Sequence, residues 1–528
     1  MRDFDGIERS QKKLFRNIQN ELDLIDHGSS KEIKAYERAF HASLPRRHQV
    51  TTKKELLKTL ARGHVILVGD FHPFRQSQKG FLRLLKESRK KAAIGLECIQ
   101  QAHQAAVDEY LAKLITLEEL REKIEFERYW PFSWNSYREI LEYAKHTHAK
   151  VIALNIPERK RNAAMLRQRD KAAAERISAA LLSDPELSIY VLYGELHLAK
   201  KHLPGDLASL LSKQKTIITV HQNLPTLYWK VSKQVNTHKS EVLKLGTHEF
   251  CLLNSVPWVK LRSYLDWLEG NPEGEDWERE GVDLNGSIQQ YAELLRETLK
   301  LRAEPRADLD VFGPDQLTKP RLPKLHTHEK VIFRHATDFH RTGYLAGSAI
   351  LLLPVTSTNA LSESASLLLW RSQLSRSQRA ISPYGEPLIV QFFIGYLGSK
   401  ILNPKRKCNE VGDLRAFIAS TKGKKTEASK RRIYKRSLLL LQAMEKAKKI
   451  PSQKLRATEE VEASRLAAYI LADRLFIALL RDPSLIDFIR RIFTASAASP
   501  SWAKHLLDEI ASCLKSHWVE PKRKSEKF

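Results

Sequence analysis

The chain has 528 residues, 42% of them hydrophobic and 28% charged, and carries a net charge of +26. This composition excludes a disordered or fibrous chain, and the length predicts two to four domains of roughly 100 to 200 residues each. No run supplies the ~20 apolar residues that cross a bilayer, and the charged opening MRDFDGIERSQKKLFRNIQNELDLIDHG lacks the apolar stretch and cleavage site of a secretory signal. A cytoplasmic location is the expectation.

In chain order, a helical segment over residues 1–45 leads into an α/β domain over 46–268. Apolar runs of strand length occur at HVILVG (64–69), AAIGLE (92–97), KVIALN (150–155), SIYVLYG (188–194) and KTIITV (215–220). Each is hydrophobic on both faces. Between them FRQSQKGFLRLLKESRK and SWNSYREILEYAKHTHA read as amphipathic helices, the second with Tyr137, Ile140, Leu141 and Ala144 on one stripe. Continuous apolar strands alternating with such helices predict a mostly parallel sheet with helices on both faces.

After Cys251 the pattern changes. VKLRSYLDWLE reads as a helix, EGNPEGEDWEREG (269–281) as a boundary loop and GSIQQYAELLRETLKL as another helix. Pro305, Pro314, Pro320 and Pro323 then rule out a long helix, so residues 269–329 read as a linker. KVIFRHA (330–336) and GSAILLLPV read as two strands ahead of a helix at NALSESASLLLWRSQL, in a mixed region over 330–430. SLLLLQAMEKAKK, SRLAAYILADRLFIALLRD and SWAKHLLDEIASCLKS make 431–528 mainly helical. Between Asn403 and Lys449, 15 basic residues stand against 4 acidic, a local +11. That segment is a candidate contact for a polyanion, set against the plainer reading of a solvated surface. His326, His328, His335 and His340 follow no metal-ligand template and read as surface. Cys98, Cys251, Cys408 and Cys513 are far apart, without a CxxC pair, and read as reduced core thiols.

The strand ends carry the chemistry. VILVGDFH (65–72) runs from an apolar strand through Gly69 to Asp70 and His72, and YVLYGELH (190–197) repeats the device with Gly194, Glu195 and His197. Glycine lets the backbone turn off the strand, and in a parallel sheet the space beyond the carboxyl ends is where ligands sit. Other strands end there in Glu97, Asn155 and His221. Two imidazoles and a carboxylate suit a divalent metal with open positions, and an imidazole oriented by a carboxylate suits a general base. Arg159, just beyond Asn155, is placed either to take a carboxylate or propionate bidentately or to cap a helix. Tyr129, Trp130, Trp134 and Tyr137 are either pocket lining or aromatic core.

The pair GDFH and GELH, with GLEC between them and VIALNIPER after WPFSWNSYREILEYA, resembles the ChaN-like haem-binding uptake domain of the Tiki/TraB/erythromycin-esterase superfamily, over roughly residues 50–255. The resemblance implies an α/β fold with a ligand site at the strand ends. Its members divide into haem-binding lipoproteins, metal-dependent proteases such as Tiki, and esterases with a histidine base. Carried over by motif, His72, Glu97 and His197 would be the catalytic or metal-ligating set. Asp70 and Glu195 would stand beside them, and Asn155 and Arg159, from their place at the strand end, join these and the two histidines as candidate contacts of a cofactor, either haem or divalent Mn, Co or Zn. The expected function is ligand binding of ChaN type. A metal-dependent hydrolase acting on a peptide or ester, and a basic scaffold contacting a polyanion, are the alternatives. A homodimer is left open.

Overall fold

The computed structural model describes residues 4–25, 31–45, 47–87, 92–157, 163–231, 241–270, 284–302, 304–305, 309–318, 325–374, 385–446, 455–495 and 501–517. The chain folds as two compact units, one of residues 17–281 and one of residues 1–16 with 282–525.

The first unit is built on eight strands, β1 (Gln49–Thr51), β2 (Val65–Asp70), β3 (Ala92–Gln100), β4 (Val151–Asn155), β5 (Ser188–Gly194), β6 (Ile217–Gln222), β7 (Glu241–Gly246) and β8 (Glu249–Leu253). They lie in the order β1-β7-β8-β6-β2-β5-β3-β4. The six strands from β8 to β4 are all parallel, and β7 and β1 add an antiparallel edge. Every residue of β2 and β5 is buried, as expected of strands covered on both faces. On one face Ile66, Val68, Ile94, Leu96, Tyr190, Leu192, Ile218 and Val220 pack with Phe81, Leu84, Tyr137, Ile140 and Leu141 from helices Arg75–Glu87 and Trp134–Thr147. Helices Ala163–Ser183 and Leu203–Leu210 lie against β4 and β6. Burying each of these Leu, Ile, Val or Phe side chains contributes about 1.5–3 kcal/mol.

The five apolar runs are thus β2 to β6, in a mostly parallel sheet with helices. The antiparallel edge lacks such a run: β7 mixes three buried with three half-buried residues, and β1 has only three residues, none buried.

In the second unit helix Glu386–Leu402 packs between Thr358–Gln373 and Ala457–Arg481. Its sequence EPLIVQFFIGYLGSKIL is buried on nearly all sides, the signature of an interior helix. Among the described residues no helix is long and apolar enough to cross a membrane. A small sheet, β9 (Asp310–Phe312), β10 (Gly343–Leu345) and β11 (Ile350–Leu352), runs in the order β10-β11-β9.

The strand reading of KVIFRHA is corrected: residues Thr327–Phe339 form a helix. Glu329, Ile332, His335 and Ala336 are its buried residues, a helical spacing, and Glu329 accepts from the His326 backbone N–H at 3.3 Å to start it. The surface reading of His335 also fails, since it is fully buried against Glu462 at 2.8 Å. Cys98 and Cys251 are buried, Cys408 and Cys513 half-buried, and all four are free thiols. The loop read over 269–281 begins later, since Glu269 and Gly270 end helix Pro257–Gly270; its remainder, with Pro320 and Pro323, lies outside the described residues.

Candidate functional site

Sheet order decides which strand ends meet. β2, β5 and β3 are neighbours, with Asp70 opposite Gly194 and Leu96 opposite Leu192. His72 just past β2, His197 just past β5 and Glu97 within β3 therefore share one end of the sheet. The β3–β4 register shifts between Leu96 and Gln100, so Glu97 sits in an irregularity, where a strand re-aims a side chain.

Glu97 lies between the two imidazoles. Its Oε2 is 3.9 Å from His72 Nε2 and its Oε1 is 3.8 Å from His197 Nε2. Gly194 forms the floor of the gap. A Cβ built there would stand 3.1 Å from His197 Cδ2, 3.2 Å from Glu97 Oε2 and 3.2 Å from His72 Nε2. The Gly194 N–H also donates to Glu97, as does the Arg169 guanidinium. Gly194 has φ −48°, which any residue adopts. Its value is therefore the space it leaves rather than the sharp turn expected from sequence. Gly69 acts similarly, since a Cβ there would meet Glu195 and Leu198 at 3.3 Å.

Each imidazole is held from behind by an aspartate. His72 Nδ1 lies 3.0 Å from Asp70, which also accepts from the Tyr137 hydroxyl at 2.8 Å and from Gln78 at 2.5 Å. His197 Nδ1 lies 2.6 Å from Asp170, which also accepts from Tyr36 at 2.7 Å and Arg167 at 2.8 Å. A carboxylate on Nδ1 fixes ring orientation and tautomer and leaves Nε2 as the working atom. Burial pulls the His72 imidazolium down, but the Asp70 hydrogen bond and the charges of Glu97 and Asp70 outweigh it and hold its pKa above the ordinary value. For Glu97, burial pushes up, and Arg169 with the two imidazoles prevails and keeps the carboxyl below the usual range.

The two halves differ in access. The His72 side chain is 22% exposed and that of His197 only 7%. Rings surround the exposed one: Trp130 at 4.6 Å and Phe132 at 4.9 Å, with Trp267 4.9 Å beyond Phe132. Tyr137 joins the site through Asp70, whereas Trp134 packs on Phe126 at 4.8 Å and Tyr129 on His103 at 5.6 Å.

Asp70, His72, Glu97 and His197 thus come together. Glu195 points elsewhere, paired with the buried Lys260 at 2.6 Å. Asn155 ends β4, where its side chain accepts from the Ile156 N–H at 2.9 Å. His221 pairs with Glu249 at 3.1 Å. Arg159 lies outside the described residues. Among the described residues no group of three or more His, Cys, Asp or Glu is arranged to hold a metal ion. Asp170, Arg169 and Tyr36 escaped the sequence reading. The first two lie in RQRDKAAAER, which reads as an ordinary solvated helix face.

Residues 56–167 match the family described as haem-binding uptake, Tiki superfamily, ChaN. The matched stretch takes in GDFH and GLEC and ends ahead of GELH. A solved structure described as cofacial heme binding to ChaN of Campylobacter jejuni is 14% identical, with a TM-score of 0.27, over 38% of this chain and 91% of that one. No curated protein matches the chain. Over residues 56–167, therefore, the α/β unit is similar to the haem-binding uptake family of ChaN in the Tiki superfamily.

Proposed function

We propose that the α/β unit binds haem, with His72 as the imidazole that faces the iron. What supports this is one observation beside the family match: His72 is the exposed member of the pair, its Nδ1 is tied to Asp70, and its ring is walled by Trp130 and Phe132. An imidazole whose Nδ1 is carboxylate-bound is a strong iron ligand, and apolar rings suit a macrocycle's faces. The gap at Gly194 is too small for a macrocycle, so haem would lie on the aromatic side of His72. When bound, the iron would supply the cofactor's own ligand and electron chemistry. Asp70, Tyr137 and Gln78 orient the ring.

A divalent ion at Glu97 is the second reading, the one on which a Tiki-like hydrolase would depend. It is favoured by the two Asp-backed imidazoles that turn Nε2 toward one carboxylate.

The test is a hemin titration followed in the Soret region, with elemental analysis of protein purified without added metal. His72→Ala should lose or shift the band while His197→Ala keeps it. An unchanged band in His72→Ala would sink the haem assignment. Bound Mn, Co or Zn that disappears in Glu97→Gln would replace it with the second reading.

A further inference from the structure

The haem reading leaves the basic segment of the helical unit without a role. The structure divides its cations into two sets. Several are consumed internally: Arg406 pairs with Glu363, Arg436 with Glu460 at 2.6 Å and Arg432 with Glu459 at 2.5 Å. A second group lies on a helical hairpin, helix Val411–Ser420, a turn, and helix Ala428–Glu445. Arg415, Lys422, Lys424, Lys425, Lys430 and Lys435 are all exposed there. Between Arg415 and Lys435 eight basic residues face a single acid, Glu427.

The hairpin is built to hold this face in place. Gly423 takes φ +85°, the left-handed conformation that glycine adopts without penalty. The Arg431 guanidinium donates to the carbonyls of Thr421 and Lys424 from within, pinning the backbone of TKGKK. Phe417 and Tyr434 lock the two helices together with ring centroids 4.9 Å apart, and Lys430 sits 4.6 Å above the Phe417 ring. One arginine is thus spent on shaping the turn that presents three lysines.

We infer that this hairpin binds the phosphate backbone of double-stranded DNA without reading sequence. Lysines carried on a pinned backbone are point charges matched to a polyanion that carries one charge per ~1.7 Å of axis. Base readout by bidentate side chains is not offered, because the exposed cations are lysines except Arg415 and Arg432, and Arg432 and the half-buried Arg431 are engaged. Base stacking is not offered either, because Phe417 and Tyr434 face each other and Lys430.

The experiment uses the full chain and a fluorescent mixed-sequence DNA duplex, with anisotropy measured across a salt series. Two variants of equal charge loss are compared. One is Lys422→Gln, Lys424→Gln, Lys425→Gln and Lys430→Gln on the hairpin. The other is Lys54→Gln, Lys150→Gln, Lys201→Gln and Lys213→Gln, exposed lysines elsewhere. Each phosphate contact adds about −0.9 to the slope of log K against log salt. The hairpin variant should therefore flatten the slope by roughly 3 to 4, and affinity at low salt should fall by more than tenfold. The second variant should stay close to the parent. Equal losses in both would reduce the effect to net charge and overturn the assignment. Hairpin-dependent binding to phosphatidylserine vesicles without DNA binding would overturn it in favour of a membrane surface, and no binding to either would return the hairpin to a solvated face.

Discussion

Asp170→Ala tests whether the buried half of the site is a hydrogen-bonded unit. Asp170 is fully buried and takes three donors: His197 Nδ1 at 2.6 Å, the Tyr36 hydroxyl at 2.7 Å and Arg167 at 2.8 Å. Removing it does not strand all of them. Arg167 keeps Asp206 at 2.9 Å, and Tyr36 lies 3.0 Å from His197 Nδ1, so those two groups can pair with each other if the ring changes tautomer. The tautomer change places a proton on Nε2. What remains is about one unsatisfied buried polar group and a broken charge pair, worth roughly 2–4 kcal/mol. Tyr36→Phe alone should cost only about 1 kcal/mol, because Asp170 retains its other partners. The double variant should fall short of additivity by about 1 kcal/mol, since the two groups touch. Native-state hydrogen exchange at the β5 amides measures this within the α/β unit alone. A loss under about 0.5 kcal/mol for Asp170→Ala, within the range of ordinary surface substitutions, would mean that His197 does not depend on the aspartate and that the described network is wrong.

Gly194→Ala should keep the fold, since φ is −48°, but push a methyl against His72, Glu97 and His197; a stability loss of about 1–3 kcal/mol is expected, and a melting temperature equal to the parent's would contradict the crowding. In the helical unit, burial would raise the Glu462 carboxyl, but Arg465 and His335 outweigh it and hold its pKa well below the usual range. A depressed folded pKa contributes stability that is full above the unfolded value of about 4.3 and is lost as pH falls through the folded one. Acid melts should therefore show a loss below about pH 4.3 that shrinks in Glu462→Gln; identical acid profiles would count against it. Lys260→Met leaves the half-buried Glu195 without its 2.6 Å partner and should cost about 2 kcal/mol, while a neutral outcome in the same melts would show the pair to be dispensable.

The parallel core was legible because strands buried on two faces must be apolar throughout, and five such runs stand out from the helices between them. The edge strands β1 and β7 were not, because exposure on one side lets polar residues in. His72, Glu97 and His197 were legible from their position after apolar runs. Their partners were only half so. Asp70 lies two residues from His72, within the same strand end, but Asp170 reaches His197 from helix Ala163–Ser183, and no local pattern announces such a contact. GDFH and GELH look equivalent, and the fold treats them differently: the acid of the first orients its own histidine, while the acid of the second turns to Lys260. KVIFRHA misleads because Val331, Ile332 and Phe333 suit a strand locally, and only the capping by Glu329 and the burial spacing mark the helix.

The charge of the site argues for one further test. Asp70, Glu97 and Asp170 are three buried carboxylates, and among the described residues Arg169 contacts Glu97 and Arg167 contacts Asp170. Among the described residues, then, two guanidinium groups face three carboxylates. Arg169 already holds the Glu97 oxygen that a divalent ion would need, so metal and arginine compete for one carboxylate. Arg169→Met removes the competitor and leaves a buried carboxylate short of a partner, at a cost of about 3–5 kcal/mol. If Mn, Co or Zn takes Glu97 with the two imidazoles, adding it should raise the melting temperature of Arg169→Met more than that of the parent, by mass action on the folded state. The gain should vanish in the double variant with Glu97→Gln. A melting temperature unmoved by metal in Arg169→Met would show that Glu97 serves the arginine and the Gly194 backbone rather than an ion, and would leave the exposed His72 as the ligand-bearing side of the site.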